Sequence, residues 1–490
     1  MPRGKSAPLT GRWWVLAPIM TGTFMGGLDT YIVNVSLPTL AATFGAEVAV
    51  IQWVSLAYLV AITSSLVLCG RAADLWGSRR VYMGGLLTFV LGSALAGAAP
   101  TAVALVVCRG MQGLGAAMLL ASGQALIAEV FPAGQRGRAM AGMHVAVALG
   151  FTLGPAVGGV LVETIGWRWV FYVNVPIGLI TTVVASRVLP AGQRSQQHGF
   201  DLAGATVLVA GLVLTLVALT RIQQGALASA SILLLLGVGV LAVFPVVEHR
   251  AASPMVDLAL FRRRAFTAGL LATFFNFIAM ASNMFLMPFF LQGQLLLSPS
   301  RAGLLMMAVP MTILWAAPVG GWLSDRLGPR APATVGLLLV TMTVVLMAAL
   351  SGGTSALTMG MVLGVYGLGA GLFQSPNNSG VLGAAPQERL GVASGTLATM
   401  RQMGQVAGIA IASTVWVARE QAYLATGLPG VVAQGAGFRD AFLVLAVAGL
   451  LAVVASAWRG RGGAQASPPP AVSPGGSTAP RTRQAFYRRA

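Results

Sequence analysis

The chain has 490 residues, of which 56% are hydrophobic and only 9% charged, and its mean hydropathy is +0.81. A soluble protein carries about 25% charged residues, so the composition excludes a water-soluble fold and points to a bundle of membrane helices. The net charge of +18 does not point to nucleic acid, because the basic residues sit in short clusters between apolar runs (Arg79-Arg80, Arg136/Arg138, Arg262-Arg263-Arg264), as the positive-inside rule produces.

In chain order, a short basic tail (residues 1–12) precedes apolar runs of about 20 residues, each long enough to cross about 30 Å of hydrocarbon. Spans are predicted at 13–37, 52–70, 80–99, 101–125, 137–162 and 167–189, which form an amino-terminal bundle over 13–189. A linker with two inserted spans, 201–220 and 228–248, covers 190–264. Its polar stretch Pro190–Phe200 leads to Asp201, placed to cap the next helix. A carboxy-terminal bundle over 265–459 holds spans at 266–290, 301–322, 332–350, 355–378, 391–418 and 438–458. Residues 460–490, rich in Gly, Pro, Ser and Arg, read as a disordered basic tail.

The expected architecture is thus an all-α polytopic membrane protein with fourteen transmembrane helices and both termini on one side. With the termini cytoplasmic, 23 of the 30 Lys/Arg lie inside, five outside (Arg168, Arg221, Arg301, Arg419, Arg439) and two within spans (Arg109, Arg401). That asymmetry sets the orientation in the plasma membrane. The first run is long enough to remain as an anchor rather than a cleaved signal. Cys69 and Cys108 both fall in apolar runs and imply no disulfide framework.

An internal repeat runs through the two bundles. Gly70-Arg-Ala-Ala-Asp74-Leu-Trp-Gly77-Ser-Arg79 matches Gly321-Trp-Leu-Ser-Asp325-Arg-Leu-Gly328-Pro-Arg330 at an offset of 251. Gly110-Met-Gln-Gly113-Leu-Gly115 matches Gly364-Val-Tyr-Gly367-Leu-Gly369 at an offset of 254. Parallel halves of this kind are a property of secondary transporters, whose substrate site lies at the interface near the midplane.

These residues carry a family resemblance. The chain resembles the fourteen-spanning drug:proton antiporter family of the major facilitator superfamily over residues 13–458. Leu28-Asp29-Thr30-Tyr31-Ile32-Val33-Asn34-Val35-Ser36-Leu37-Pro38 is similar to that family's first-span signature, with the Thr one position early. The Gly70–Arg80 loop resembles the superfamily's cytoplasmic loop, with Leu75 in place of the usual Arg. Arg109-Gly110-Met-Gln112-Gly113 resembles the fourth-span motif. Gly150-Phe-Thr-Leu-Gly154-Pro155-Ala-Val-Gly158-Gly159 resembles the fifth-span motif associated with exporters, and export is what that resemblance implies. Trp167-Arg168-Trp169, Asn174-Val-Pro176-Ile-Gly178, Gln374-Ser-Pro376-Asn377-Asn378 and Arg401-Gln402 are also similar to patterns of the subfamily.

Deep charges are few. Asp29 lies nine residues before Pro38, roughly 13 Å along the helix, and Arg109 lies at nearly the same depth from the outer end of its span. A central charge costs roughly 2.5–3.5 kcal/mol, so the two need a reason. Burial favours a neutral carboxyl and a neighbouring guanidinium favours a carboxylate, so moving Arg109 between states would switch proton affinity at Asp29. The alternative is a structural ion pair between the first and fourth spans. Gly150, Gly154 and Gly158 recur every four residues on one helix face, where another backbone can approach, and Pro155 can bend the helix. That stripe suits a coupling role or ordinary packing.

The loops with Gly70, Asp74, Gly77, Arg79 and Arg80, and with Asp325, Arg326 and Arg330, place acid and base at helix ends, where they suit an inner gate or mere positive-inside charge. Asn34, Gln112, Asn276, Asn283, Gln374 and Asn377 are candidates to line a substrate cavity or to bond helix to helix. Met280, Met284, Met287, Met306 and Met307 offer an adaptable apolar wall or lipid-facing filler. His144 reads as a packed or lipid-edge residue.

Other classes fit less well. The only lysine is Lys5, so the chain has no P-loop lysine and nothing implies an ATPase subunit. His144, His198 and His249 are isolated and no HExxH occurs, so no metal site or other cofactor, and no enzyme, is expected. The expectation is proton-coupled, alternating-access efflux of small, lipophilic molecules, with substrate, protons and the lipid bilayer as partners. The alternatives are a dedicated exporter of one metabolite or antibiotic, and a non-transporting, transporter-like sensor.

Overall fold

The computed structural model describes residues 9–190, 202–223, 226–250, 258–386 and 389–460. The linker at 191–201 with His198 and Asp201, and the tail at 461–490, lie outside the described residues. Within them the chain forms fourteen long helices. They are α1 (Leu9–Phe44), α2 (Val48–Trp76), α3 (Ser78–Gly97), α4 (Ala102–Val130), α5 (Ala133–Thr164), α6 (Trp169–Val188, broken at Val173), α7 (Leu202–Gln223) and α8 (Leu227–Arg250). After a short 3₁₀ turn (Leu258–Arg262) follow α9 (Arg264–Gly293), α10 (Pro299–Leu327, broken at Met307), α11 (Arg330–Ala349), α12 (Ala356–Gly383), α13 (Leu390–Ala425) and α14 (Gly430–Trp458).

Every span predicted from hydropathy falls on one of these helices, and the helices overrun the apolar cores because polar ends do not stop a helix. Thus α1 starts at Leu9, inside the stretch expected as tail, and α14 starts at Gly430 after Pro429. Eleven of the fourteen are long and apolar enough to cross a membrane. In α7 the described apolar stretch, Val213–Ile222, is shorter, and α13 is diluted by Arg401, Gln402, Gln405, Arg419, Glu420 and Gln421.

The two bundles repeat one packing scheme. In the amino-terminal half α1 packs on α5, α2 on α4, and α3 on α4 and α6; in the carboxy-terminal half α9 packs on α13, α10 on α12, and α11 on α12 and α14. Local chemistry repeats with it. Thr101 caps α4 by accepting from the Ala104 amide at 3.2 Å, and Ser355 caps α12 by accepting from Thr358 at 3.1 Å, 254 residues later (355 − 101). Gly77 and Gly328, 251 apart (328 − 77), turn the chain at φ of 92° and 78°, a region that a side chain resists.

The glycine face of α5 lets the α1 backbone in. A Cβ on Gly150 would stand 2.6 Å from the Leu28 nitrogen and the Phe24 oxygen, and one on Gly158 would stand 2.6 Å from the Ile32 oxygen. On α13, Gly404 and Gly408, 254 residues after Gly150 and Gly154 (404 − 150, 408 − 154), admit the α9 backbone at Phe274 and Ile278 in the same way.

At one end the halves are tied together. The Ser300 amide of α10 donates to Glu163 Oε2 of α5 at 2.9 Å, Gln292 Nε2 of α9 donates to the Val35 carbonyl at 3.0 Å, and Ser413 of α13 bonds Gln52 of α2. Gly159 sits against Pro299, and Gly303 against Pro155. The inserted pair α7–α8 leans through α7 on both α2 and α13, with Trp53 Nε1 donating to Thr220 Oγ1 at 3.0 Å. The opposite, arginine-rich end carries the two repeated loops. There Asp74 is exposed and, among the described residues, pairs with its neighbour Arg71 at 3.8 Å. Among the described residues no ion pair joins Asp74 or Asp325 to the other half.

Candidate functional site

Asp29 is the centre of a sealed polar cluster. Packing of α1 against α4 and α6 brings side chains of both helices onto its carboxylate. Arg109 Nη1 of α4 pairs with Asp29 Oδ2. Gln112 Nε2, one turn on, donates to Asp29 Oδ1 at 2.9 Å and to Ser93 Oγ of α3 at 2.7 Å, while its Oε1 accepts from Arg109 Nη1 at 2.7 Å. Asn174 Nδ2 of α6 reaches Oδ1 at 3.2 Å. Asp29 is 0% and Arg109 1% exposed.

Arg109 is held by two further contacts. Its Nε donates to the Val54 carbonyl at 2.9 Å, and its guanidinium lies 4.2 Å from the Tyr58 ring centroid. Sequence reasoning anticipated Asp29 and Arg109 but could not tell whether they meet. Ser93 was not singled out at all. Asn174 stood only as part of a sequence pattern, and neither residue type carries a signal that would mark it.

Between the halves lie two small clefts. One, with about 320 Å³ of empty space, is lined by Thr30, Asn34, Ser55, Tyr58, Arg109 and, from the other half, Met284 and Gln405. The second, about 340 Å³, is bounded by Tyr31, Pro155, Met280, Met284, Met306 and Tyr366. Asn34 faces the first cleft and accepts from Ser55 Oγ at 2.9 Å. Tyr31 stacks on Phe151, with ring centroids 4.4 Å apart. Three of the methionines thus form the apolar wall, whereas Met287 is packed in the core.

The chain matches the model of the Major Facilitator Superfamily over residues 19–409. It belongs to that superfamily. It is similar to the riboflavin transporter RibZ of Clostridioides difficile, at 33% identity over 82% of this chain and 88% of that protein. It is also similar to the multidrug transporter MdtP of Bacillus subtilis, at 29% identity over 86% and 78%. Among solved structures, a bacterial homologue of the human lysosomal transporter Spinster, in an inward-facing and unoccupied conformation, superposes with a TM-score of 0.68 at 15% identity, over 92% of this chain and 98% of that one. The protein is therefore a polytopic membrane transporter of major facilitator type, and its named relatives are transporters rather than enzymes.

Within this facilitator fold the remaining candidates separate. Gln112, expected at a cavity wall, is 0% exposed and belongs to the Asp29 cluster instead. Asn377 lines neither cleft: its Nδ2 donates to Thr273 Oγ1 at 2.7 Å, and its Oδ1 accepts from the buried Arg459 at the arginine-rich end. Asn276 is buried, and neither of its amide atoms has a partner among the described residues. Gln374 is half-buried, with Nε2 3.9 Å from the Met280 sulfur of the cleft wall. The side chain of Asn283 lies outside the described residues. Polar residues looked alike in sequence because depth and helix rotation, not residue type, decide which face a cavity.

The loop residues Gly70, Asp74, Gly77, Arg79, Arg80, Asp325, Arg326 and Arg330 all cluster at the arginine-rich end. Arg79 is tied within its own half, donating to the Ser186 carbonyl at 2.5 Å, and Arg326 stacks 4.1 Å from the Trp322 ring centroid. His144 is exposed on α5. It lies within electrostatic reach of Arg401 on α13.

Proposed function

We propose that this protein exports small molecules in exchange for protons, by alternating access of two six-helix halves with α7–α8 as an added pair, fourteen spans in all. The arginine-rich end is then cytoplasmic by the positive-inside rule. The ties between α5 and α10 close the outer end, so the conformation described is inward-facing. In the outward-facing state the Asp74 and Asp325 loops meet and latch the inner end.

One observation carries the coupling reading: a carboxylate withdrawn from water and held against a guanidinium, in one half only. The positions on α12 equivalent to Arg109 and Gln112 (109 + 254, 112 + 254) are Leu363 and Tyr366, so the second half has no counterpart. An ion pair of this kind is a poor source of stability, and intramembrane ionisable residues mark proton relays. Asn174 Oδ1 has no donor among the described residues. Turning that amide would present an acceptor to a protonated Asp29, so the cluster can hold the carboxyl in either form. Protonation from outside weakens the tie to Arg109 and frees the first and fourth spans to shift. Return of the proton to the cytoplasm resets them.

The test uses energised everted vesicles exposed to lipophilic cations, neutral antibiotics and aromatic acids, with proton movement as the readout. A substrate-dependent signal that Asp29→Asn abolishes is the expected result. An Asp29→Asn protein that still transports in a proton-dependent way removes Asp29 from the mechanism. Silence of well-folded wild type, with cell extracts also silent, points to a non-transporting homologue. A dedicated exporter of one compound is the second reading, favoured by the small clefts and by the riboflavin transporter among the relatives.

A further inference from the structure

Arg401 is the charge that the proposed mechanism leaves unused. It lies on α13 three residues before Gly404, which meets the α9 backbone as Gly150 meets α1 beside Asp29, so it sits within a turn of the Asp29 level. Its Nε is buried with no hydrogen-bond partner among the described residues, and its guanidinium stacks 5.3 Å from the Phe277 ring centroid. The described groups that feel its charge are Tyr31 of α1 and His144 of α5, both across the gap in the other half. No carboxylate among the described residues meets it.

Charge counting gives this geometry a direction. Asp29 and Arg109 neutralise each other inside a sealed cluster, and both Asp29 oxygens are already engaged by Arg109, Gln112 and Asn174. A cationic substrate therefore finds no free carboxylate in this conformation, while the gap between the halves carries the net positive charge of Arg401. A guanidinium offers several donors in a planar fork that matches carboxylate or phosphate oxygens. Tyr31, which feels that charge, lies on a cleft wall with Met280, Met284, Met306 and Tyr366, and the Tyr366 hydroxyl is buried without a partner among the described residues. Aromatic and thioether side chains suit a flat, polarisable body.

We infer that Arg401 is the recognition group for an organic anion: the exported molecule carries a carboxylate or similar oxyanion on an aromatic body. It docks with its charged end on the guanidinium between α1, α5 and α13, and its apolar part against Tyr31, Tyr366 and the methionines. This rests on the exporter reading and sets its substrate class as anionic, against the lipophilic cations that a lone intramembrane Asp would suggest.

The test is equilibrium binding to the purified full chain in nanodiscs of zwitterionic lipid. The probes are three fluorescent ligands with one pyrene body: a butyrate, its neutral amide and a quaternary ammonium analogue. Wild type is expected to bind the carboxylate at least about tenfold tighter than the amide, after subtraction of empty nanodiscs, and the ammonium weakest. Arg401→Gln removes that preference while amide binding persists and reports an intact fold; Arg401→Lys keeps part of it. Absence of a carboxylate preference in wild type, a preference for the ammonium, or an unchanged preference in Arg401→Gln overturns the inference. Binding is read without a proton gradient, so Arg401-dependent carboxylate binding in a protein that moves no substrate refutes the exporter reading while leaving Arg401 as an anion-binding group.

Discussion

Breaking the Asp29–Arg109 pair one partner at a time measures how far it is cut off from water. Asp29→Asn keeps the shape and removes the charge, leaving Arg109 buried beside neutral neighbours. Removing one partner of a buried pair typically costs about 3–5 kcal/mol. Arg109 keeps its bonds to the Val54 carbonyl and Gln112 and its place over Tyr58, and a desolvated cation–π contact is worth about 2 kcal/mol. The single variant should therefore fall near the lower limit, about 3 kcal/mol. In the double variant Asp29→Asn/Arg109→Gln no charge is stranded, so the double should cost less than the two singles summed. The shortfall should be about 2 kcal/mol or more. Reversible unfolding by SDS in mixed micelles gives the four stabilities of the cycle. A coupling of about 0.5 kcal/mol or less, the value of a solvent-exposed pair, would show that the pair is hydrated and would refute the argument from a sealed charge.

Two further outcomes follow from the packing. Gly154→Leu puts a side chain where Tyr31 Cβ already stands, 2.9 Å from an added Cβ. Overpacking there should destabilise the fold by about 1–3 kcal/mol and stop export; a variant that exports normally would show that close α1–α5 contact is dispensable. Cysteines placed at Glu163 and Ser300, in a background with Cys69 and Cys108 replaced by serine, should crosslink readily in the resting protein. They should block transport until reduced, because the outer tie must open in every cycle. In the same background, Asp74→Ala should lower crosslinking across the arginine-rich mouth, and an unchanged yield would remove the latch role from that loop.

How much could be read from the sequence divides along a physical line. Hydropathy and turn glycines act over a few residues, and they placed all fourteen helices and the paired turns at Gly77 and Gly328; the matched caps at Thr101 and Ser355 emerged with the structure. The 251- and 254-residue offsets disclosed two equivalent halves, because equivalent packing needs equivalent small residues. Asp29 and Arg109 stood out because charge inside a span is costly wherever it occurs.

What the chain alone left open was every question of which side chains meet. Gln112 and Asn174 converge on one carboxylate from α4 and α6, with Ser93 of α3 accepting from Gln112 behind them, whereas Asn377, the same kind of residue as Asn34, turns away to hold Arg459. His144 read as an isolated residue and feels the charge of Arg401. These outcomes depend on the rotation and relative depth of helices up to hundreds of residues apart, and no local pattern encodes either. Residue type says that a polar group in hydrocarbon needs a partner; only the packed bundle decides whether that partner is a neighbouring helix or a ligand.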